Sequence, residues 1–220
     1  HLNGRVTNMN EILKIVKNRK IKVIEDAAQS FGVKDKNFFL GTKSDIGVFS
    51  MAMSKAFTSG QGGFLTTNNN SLAKKLKKMR NQGADNINQI YEWNNFGFNF
   101  KFTDLQAAIG LVQLRKFKKN KIKLINNFLI YSRLLKEIKK YIYPANINIK
   151  NGEIPTYNEF ICKNRSDLHK YLMNNGIETR EFYPNLEKVN YIKMKKNIFF
   201  NSKIYETSSL YLPSGPNLKV

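Results

Sequence analysis

An aspartate and a glutamine three residues apart, Asp26 and Gln29, stand in the run VIEDAAQSFG. The preceding stretch is short and β-branched and reads as a buried strand that delivers Glu25 and Asp26 at its C-terminal end. A carboxylate in such a place loses solvation and needs a cationic partner. A protonated pyridine nitrogen is one, and pairing it with an aspartate makes pyridoxal phosphate a better electron sink. Gln29 is near enough in sequence to reach the same ring. Ser50 and Lys55 follow in SMAMSK, ahead of Gly60-Gln61-Gly62-Gly63. Ser50, at a strand end, can donate to a phosphate. Lys55 has no charged neighbour in its segment, and a lysine kept partly uncharged by its surroundings can attack an aldehyde. Each residue also has a plainer reading. D-A-A-Q alone suits a helix-capping Asp with a surface Gln, and Lys55 alone suits a solvated loop lysine. The glycines permit close backbone approach but specify nothing alone.

The elements that must position these residues alternate between strand and helix. Asn8 is placed to cap a helix over 9–20, and 45–50 and 63–67 read as strands flanking the Lys55 loop. A helix over 71–83 is expected to stop at Gly83. Thr103 and Gln106 have capping-box spacing at the start of TDLQAAIGLVQLRK, a small-residue helix expected to be buried. A long amphipathic helix is expected over 117–140. A second unit then follows: a strand over 156–162, a helix capped by Ser166 and stopped by Gly176, and a strand in IETREF. The expected division is 1–116 as part of a large domain, 117–140 as a connecting helix and 141–220 as a small α+β domain.

Bulk properties narrow the function classes. With 220 residues and 41% hydrophobic content, the chain can bury one substantial core, or one with a satellite. Its 37 Lys and Arg against 16 Asp and Glu give a formal charge of +21. Lysine is spread along nearly every segment, and runs such as 74–80 and 116–123 fall on expected helix faces, so no nucleic-acid partner is expected. The single cysteine, Cys162, and two histidines, His1 and His169, provide no internal disulfide and no zinc set, so no metal is expected. No apolar run approaches the roughly 20 residues that span a bilayer. A cytoplasmic protein without membrane association is expected, and the opening HLNGR reads as the interior of a longer protein.

In order, VIEDAAQSFG, SDIGVFSMAMSK, TSGQGGFLTTN, RNQG, GFNFKFTDLQAAIGLVQL, NNGIETREFYP and LPSGPNL follow the order and spacing of the DegT/DnrJ/EryC1/StrS family of sugar aminotransferases. The chain resembles that family over essentially its whole length. The resemblance implies an α/β class, the type I pyridoxal-phosphate aminotransferase fold: a partial large domain with a mostly parallel sheet and a small C-terminal α+β domain. It implies pyridoxal 5'-phosphate as cofactor, held by Asp26 at the pyridine nitrogen, Gln29 at the ring and Ser50 at the phosphate. Lys55 would be the catalytic Schiff-base lysine. Asn99, in GFNFKFTD, would cross to the partner's cofactor phosphate in a homodimer with shared active sites, and Arg180 is a candidate substrate contact.

The implied reaction moves an amino group, from glutamate in relatives, to a keto nucleotide-linked deoxysugar for surface glycan synthesis. HLNGR, FGFNF and LPSGPNL are most similar to the perosamine-synthase branch. Some members that resemble these enzymes carry His in place of the lysine and dehydrate the sugar instead, so Lys55 points to amino transfer. A degenerate member binding cofactor or sugar nucleotide in a regulatory role is the alternative. The chain departs from the family's pattern at Gln61, which usually reads Glu, at Met51 and Met53, which replace aromatics, and at Glu187, where a His near the sugar is usual. The family's N-terminal third and last helix have no counterpart in this sequence, so the chain alone is expected to be inactive.

Overall fold

The computed structural model describes residues 1–85, 95–191 and 199–218. It forms two compact units, His1–Lys118 with Lys150–Glu153, and Lys119–Ile149 with Ile154–Val220.

The first unit opens with α1 (Met9–Val16), where the Asn8 side chain accepts the Glu11 amide at 3.4 Å, as its capping position predicts. Five short strands follow: β1 (Ile24–Asp26), β2 (Lys34–Asp35), β3 (Phe38–Phe39), β4 (Ile46–Ser50) and β5 (Gly63–Thr66). β1 pairs with β4 in parallel, with Asp26 beside Val48. β4 pairs with β5 antiparallel, with Ser50 opposite Gly63, while β2 and β3 make a separate hairpin. The mostly parallel sheet expected from sequence is here a three-stranded sheet with one parallel and one antiparallel pairing. The 51–62 loop returns the chain to the same end of the sheet, closed where the Met51 amide donates to the Gly62 carbonyl at 2.8 Å, and β5 therefore pairs antiparallel.

Alternation along strands sorts the key side chains onto two faces. In register, Asp26, Val48 and Ser50 share one face, and Glu25, Gly47 and Phe49 share the other. Buried Glu25 accepts the amides of Gly41, Lys43 and Ser44 at 2.9, 2.8 and 2.8 Å and contacts His1 Nε2 at 2.9 Å. The loop carrying Gly41 is thereby drawn over Gly47, where an added Cβ would overlap the Gly41 carbonyl oxygen. On this face Phe49 stacks on Phe64 at 4.5 Å, and Phe31 packs edge-on to both. Asp45 locks β1 to β4 by accepting the Val23 amide and Lys22 Nζ, each at 2.9 Å. The Val23 amide, aided by the Lys22 ammonium, holds the Asp45 carboxyl below its ordinary range.

α2 (Asn70–Arg80) starts with Asn69 accepting the Leu72 amide at 2.9 Å. It ends at Arg80 with Asn81 as cap; Gln82, at φ 59°, is the first left-handed residue, and Gly83, at φ 82°, follows with its amide on the Lys78 carbonyl at 2.9 Å. The two helices expected after Thr103 are one, α3 (Asp104–Leu134), because nothing between them supplies a cap or a proline stop. The division between the units falls within it, after Lys118. Its first half is not buried as its small residues suggested: Leu105 is 80% exposed, and Ile109, Leu111 and Leu114 are also exposed. Only the side at Gly110 is buried, where Met51 and Ser59 approach it, and the large apolar side chains of this half point away from that contact.

The second unit contains β6 (Ile142–Pro144), β7 (Asn158–Cys162), α4 (Arg165–Asn174), β8 (Arg180–Glu181), α5 (Phe200–Ser208) and β9 (Ser209–Leu212). The strands form an antiparallel sheet in the order β6-β7-β9-β8. Phe128, Ile142, Phe160, Cys162, Leu210 and Leu212 make its core, with Leu168 and Leu172 packed against them. Burial pushes the Cys162 thiol up to about 11 and raises the Tyr131 phenol as well. α4 stops at Gly176, with φ of 74°. It begins one residue before the expected Ser166 cap: Asn164 takes the cap position without a side-chain bond, and the Ser166 hydroxyl turns to Glu181. An acceptor on a neighbouring strand has displaced the local cap.

Candidate cofactor and substrate site

Ser50 is the last residue of β4, and the chain leaves it in a loop closed at its neck. The Met51 amide donates to the Gly62 carbonyl at 2.8 Å. The Met51 carbonyl in turn accepts the Ser59 amide at 2.9 Å and the Thr58 hydroxyl at 3.0 Å. Inside the neck, the Lys55 amide donates to the Ala52 carbonyl at 3.1 Å, which turns the chain at the lysine. Buried Met51 and Phe57 anchor both sides, with Phe57 stacked on Phe31 at 4.5 Å. Lys55 is therefore held on a short, internally bonded loop. It is half-buried, and no acid among the described residues pairs with it.

The Ser50 hydroxyl oxygen accepts the Ala52 amide at 3.3 Å, so its proton remains available to an acceptor. Asp26 shares the sheet face of Ser50. One carboxylate oxygen of Asp26 accepts the Ala28 amide at 2.9 Å, and no lysine or arginine among the described residues pairs with it. This bond fixes the side chain in an Asx-type turn and not in the helix cap of the plainer sequence reading, since no helix follows β1, and it leaves the second oxygen for another donor. Gln29, in the turn after β1, accepts the Asn3 amide at 2.8 Å through Oε1.

The N-terminus of α3 closes on the same loop. Thr103 and Gln106 form the reciprocal capping box: the Gln106 amide donates to Thr103 Oγ1 at 3.3 Å, and Gln106 Oε1 accepts the Thr103 amide at 3.0 Å. Gln106 Nε2 also donates to the Gln61 carbonyl at 3.1 Å, tying the helix start to the glycine stretch. That second role, like the hold of Glu25 on the Gly41 loop, has no signature in local spacing.

Asn99 lies on a separate segment. Gln82 donates to the Phe98 carbonyl at 2.9 Å and Phe100 donates to the Arg80 carbonyl at 3.0 Å, pinning this segment to the end of α2. The Asn99 side chain is exposed, and no hydrogen bond joins it to Asp26, Gln29, Ser50 or Lys55. Arg180 belongs to the second unit, on β8. Glu187 is exposed on a turn whose flanks are held by Glu206, which accepts the Asn185 amide at 3.2 Å and Lys188 Nζ at 2.5 Å. Lys188, with the Asn185 amide and Arg165, keeps the Glu206 carboxyl below its ordinary range. The structure thus brings Asp26, Ser50 and Lys55 onto one sheet face and its loop, with Gln29 on the adjoining turn.

The model of the DegT/DnrJ/EryC1/StrS aminotransferase family matches residues 1–220. The chain belongs to this family. It is 40% identical over 116 residues to GDP-perosamine synthase of Caulobacter vibrioides, covering 53% of this chain and 31% of the relative. It is 30% identical over 193 residues to the GDP-perosamine synthase of Escherichia coli O157:H7, covering 84% and 50%. Among solved structures it is similar to NtdA from Bacillus subtilis with bound cofactor PMP, at 28% identity and a TM-score of 0.86, covering all of this chain and 52% of that one. The chain spans half or less of the length of the two synthases it matches. This family uses pyridoxal phosphate, and the residues present fit it: Asp26 offers a carboxylate with no lysine or arginine partner, Ser50 a hydroxyl proton, and Lys55 an amine with no acid partner. Asp26 would hold the ring nitrogen, Ser50 the phosphate and Lys55 the aldehyde carbon, with Gln29 against the ring.

Proposed function

We propose that this chain supplies the lysine-bearing part of a cytoplasmic, homodimeric aminotransferase that moves an amino group from glutamate to a keto nucleotide-linked deoxysugar in surface glycan synthesis. The observation that carries the reading is Lys55, on a closed loop leaving the strand end at Ser50, beside the sheet face that presents Asp26. When bound, the cofactor supplies an electron sink that lowers the cost of removing a proton from the carbon bearing nitrogen.

The chain's own residues do the rest. The Asp26 carboxylate, fixed by the Ala28 amide, stabilises positive charge on a ring nitrogen. The Ser50 hydroxyl donates to phosphate oxygen. The Lys55 amine would take a proton from the substrate carbon that bears nitrogen and return it to the carbon on the other side of that nitrogen, as a positioned base and then acid. Its loop closure at Met51 and Phe57 limits how far the amine can wander, which matters because misplacement by about an ångström costs on the order of a hundredfold in rate.

Asn99, exposed on its pinned segment, is the residue we assign to the partner's cofactor phosphate. The similarity to the perosamine synthases makes a 4-keto sugar linked to a nucleoside diphosphate the first substrate to test. Incubating the complete gene product with glutamate and a panel of such keto sugars should yield an amino sugar, and Lys55→Ala should yield none. Amino transfer at wild-type rate by Lys55→Ala would overturn the assignment.

A further inference from the structure

Three positions spaced by four, Phe102, Gln106 and Gly110, meet the neck of the Lys55 loop. Gln106 Nε2 donates to the Gln61 carbonyl at 3.1 Å. That carbonyl also accepts the Ser59 hydroxyl at 2.7 Å, so its two lone pairs take one donor from inside the loop and one from the helix. Gly62, next in the chain, has a φ of 122°, and an added Cβ would lie 2.6 Å from the Phe102 ring. One turn beyond Gln106, Gly110 is buried, and a Cβ there would meet Met51 at 3.2 Å and Ser59 at 3.6 Å. Met51, Ser59 and Gly62 are the residues whose backbone bonds close the neck. The start of α3 therefore touches both sides of the neck along one line of the helix.

The neck has a physical need for such a seat. Gly60 and Gly62 both hold left-handed backbones, and glycine gives up more conformational freedom on ordering than any other residue. The side chain at 106 points the same way. A capping box works with glutamate as well as glutamine, and an acid suits the positive end of a helix better. Gln106 uses Oε1 on the amide and the hydroxyl of Thr103, each at 3.0 Å, a task that a glutamate would also perform. Its Nε2 is the part that a glutamate lacks, and Nε2 is the atom that reaches Gln61.

We propose that Gln106 is a positioning residue for Lys55, holding the lysine loop against α3 through the Gln61 carbonyl, with Phe102 and Gly110 completing the seat. This rests on the aminotransferase reading above and adds to it the element that fixes the amine in place. Gln106 acts through the backbone, from Gln61 and Ser59 to Met51 and on to the turn between Ala52 and Lys55. The amine has to serve as base and then as acid from this one loop, so a small displacement of the neck is felt in the proton transfers.

The test compares the complete gene product with its Gln106→Glu variant, which keeps the capping box and removes the donor to Gln61. Without cofactor, hydrogen exchange read by mass spectrometry should quicken over 51–62 by roughly fivefold, the effect of losing one neutral hydrogen bond. Exchange over 104–110 and the thermal midpoint should stay as in wild type. With pyridoxal phosphate, glutamate and the keto-sugar nucleotide, kcat and kcat/KM should fall together by roughly tenfold at unchanged KM, the mark of a misplaced reacting group and not of weakened binding. Gly110→Val, which presses on Met51 and Ser59 without touching the capping box, should lower kcat in the same way and decides the matter if Gln106→Glu does not fold. Unchanged kcat in the deciding variant, or a lowered kcat with loop exchange equal to wild type, would overturn the proposal. If the wild-type protein transfers no amino group, the aminotransferase reading falls, and the exchange comparison alone decides whether α3 seats the loop: faster exchange in the variant supports the seat, and equal exchange overturns it.

Discussion

At the residue scale, adjacent acids on β1 have opposite employments. Asp26 faces the side of the sheet that carries Ser50, whereas Glu25 is buried and accepts three loop amides. The sequence delivers both at one strand end, and the two-residue alternation alone decides which is turned toward the site. Asp26, Ser50 and Lys55 were legible because each sits next to a local landmark, a strand end or a loop rich in small residues. Glu25 was not, because its partners lie 16 to 19 residues away and depend on how the chain returns. Glu25→Ala should leave those amides short of an acceptor and destabilise the first unit by about 3 kcal/mol, given roughly 1–3 kcal/mol per buried unmet donor. A thermal or urea midpoint equal to wild type would show that the Gly41 loop holds itself.

The strands and helices repeat the contrast between local and distant signals. Caps at Asn8 and Gly176 and the Thr103/Gln106 box follow the residues that make them, since each needs only neighbours three or four positions away. The fusion of two expected helices into α3 and the short strand β9 depend on packing that no local pattern encodes, whereas β8 falls within the strand expected in IETREF. The gathering of Tyr157, Tyr183 and Tyr211 round Arg180 depends on packing too. The register of β1 against β4, which puts Asp26 and Ser50 on one face, is secured in part by Asp45. Its carboxyl titrates below the ordinary value of about 3.9, so its contribution is fully present above that value and is lost as pH falls through the depressed one. Asp45→Asn should therefore lower the thermal midpoint at pH 7 by a few degrees, with the gap to wild type closing below about pH 4. A gap that is unchanged at pH 3 would show that the charge on Asp45 is not what holds the strands.

For the whole molecule, the residues on which the proposed reaction rests, Asp26, Gln29, Ser50, Lys55 and Asn99, all belong to the first unit. The excess of 37 basic over 16 acidic side chains is compatible with phosphate-bearing substrates without requiring a nucleic-acid partner. The exposed apolar start of α3 belongs to the same unit as Asn99, and that unit is where the proposed second subunit would have to contribute. All of this depends on Lys55 being the residue that joins the cofactor. The direct measurement is borohydride reduction of the complete gene product incubated with pyridoxal phosphate, followed by peptide mass spectrometry. The account predicts that the cofactor's mass is found on the peptide containing Lys55 and on no other lysine peptide. Label spread over many surface lysines, label confined to a different lysine, or none at all would contradict it.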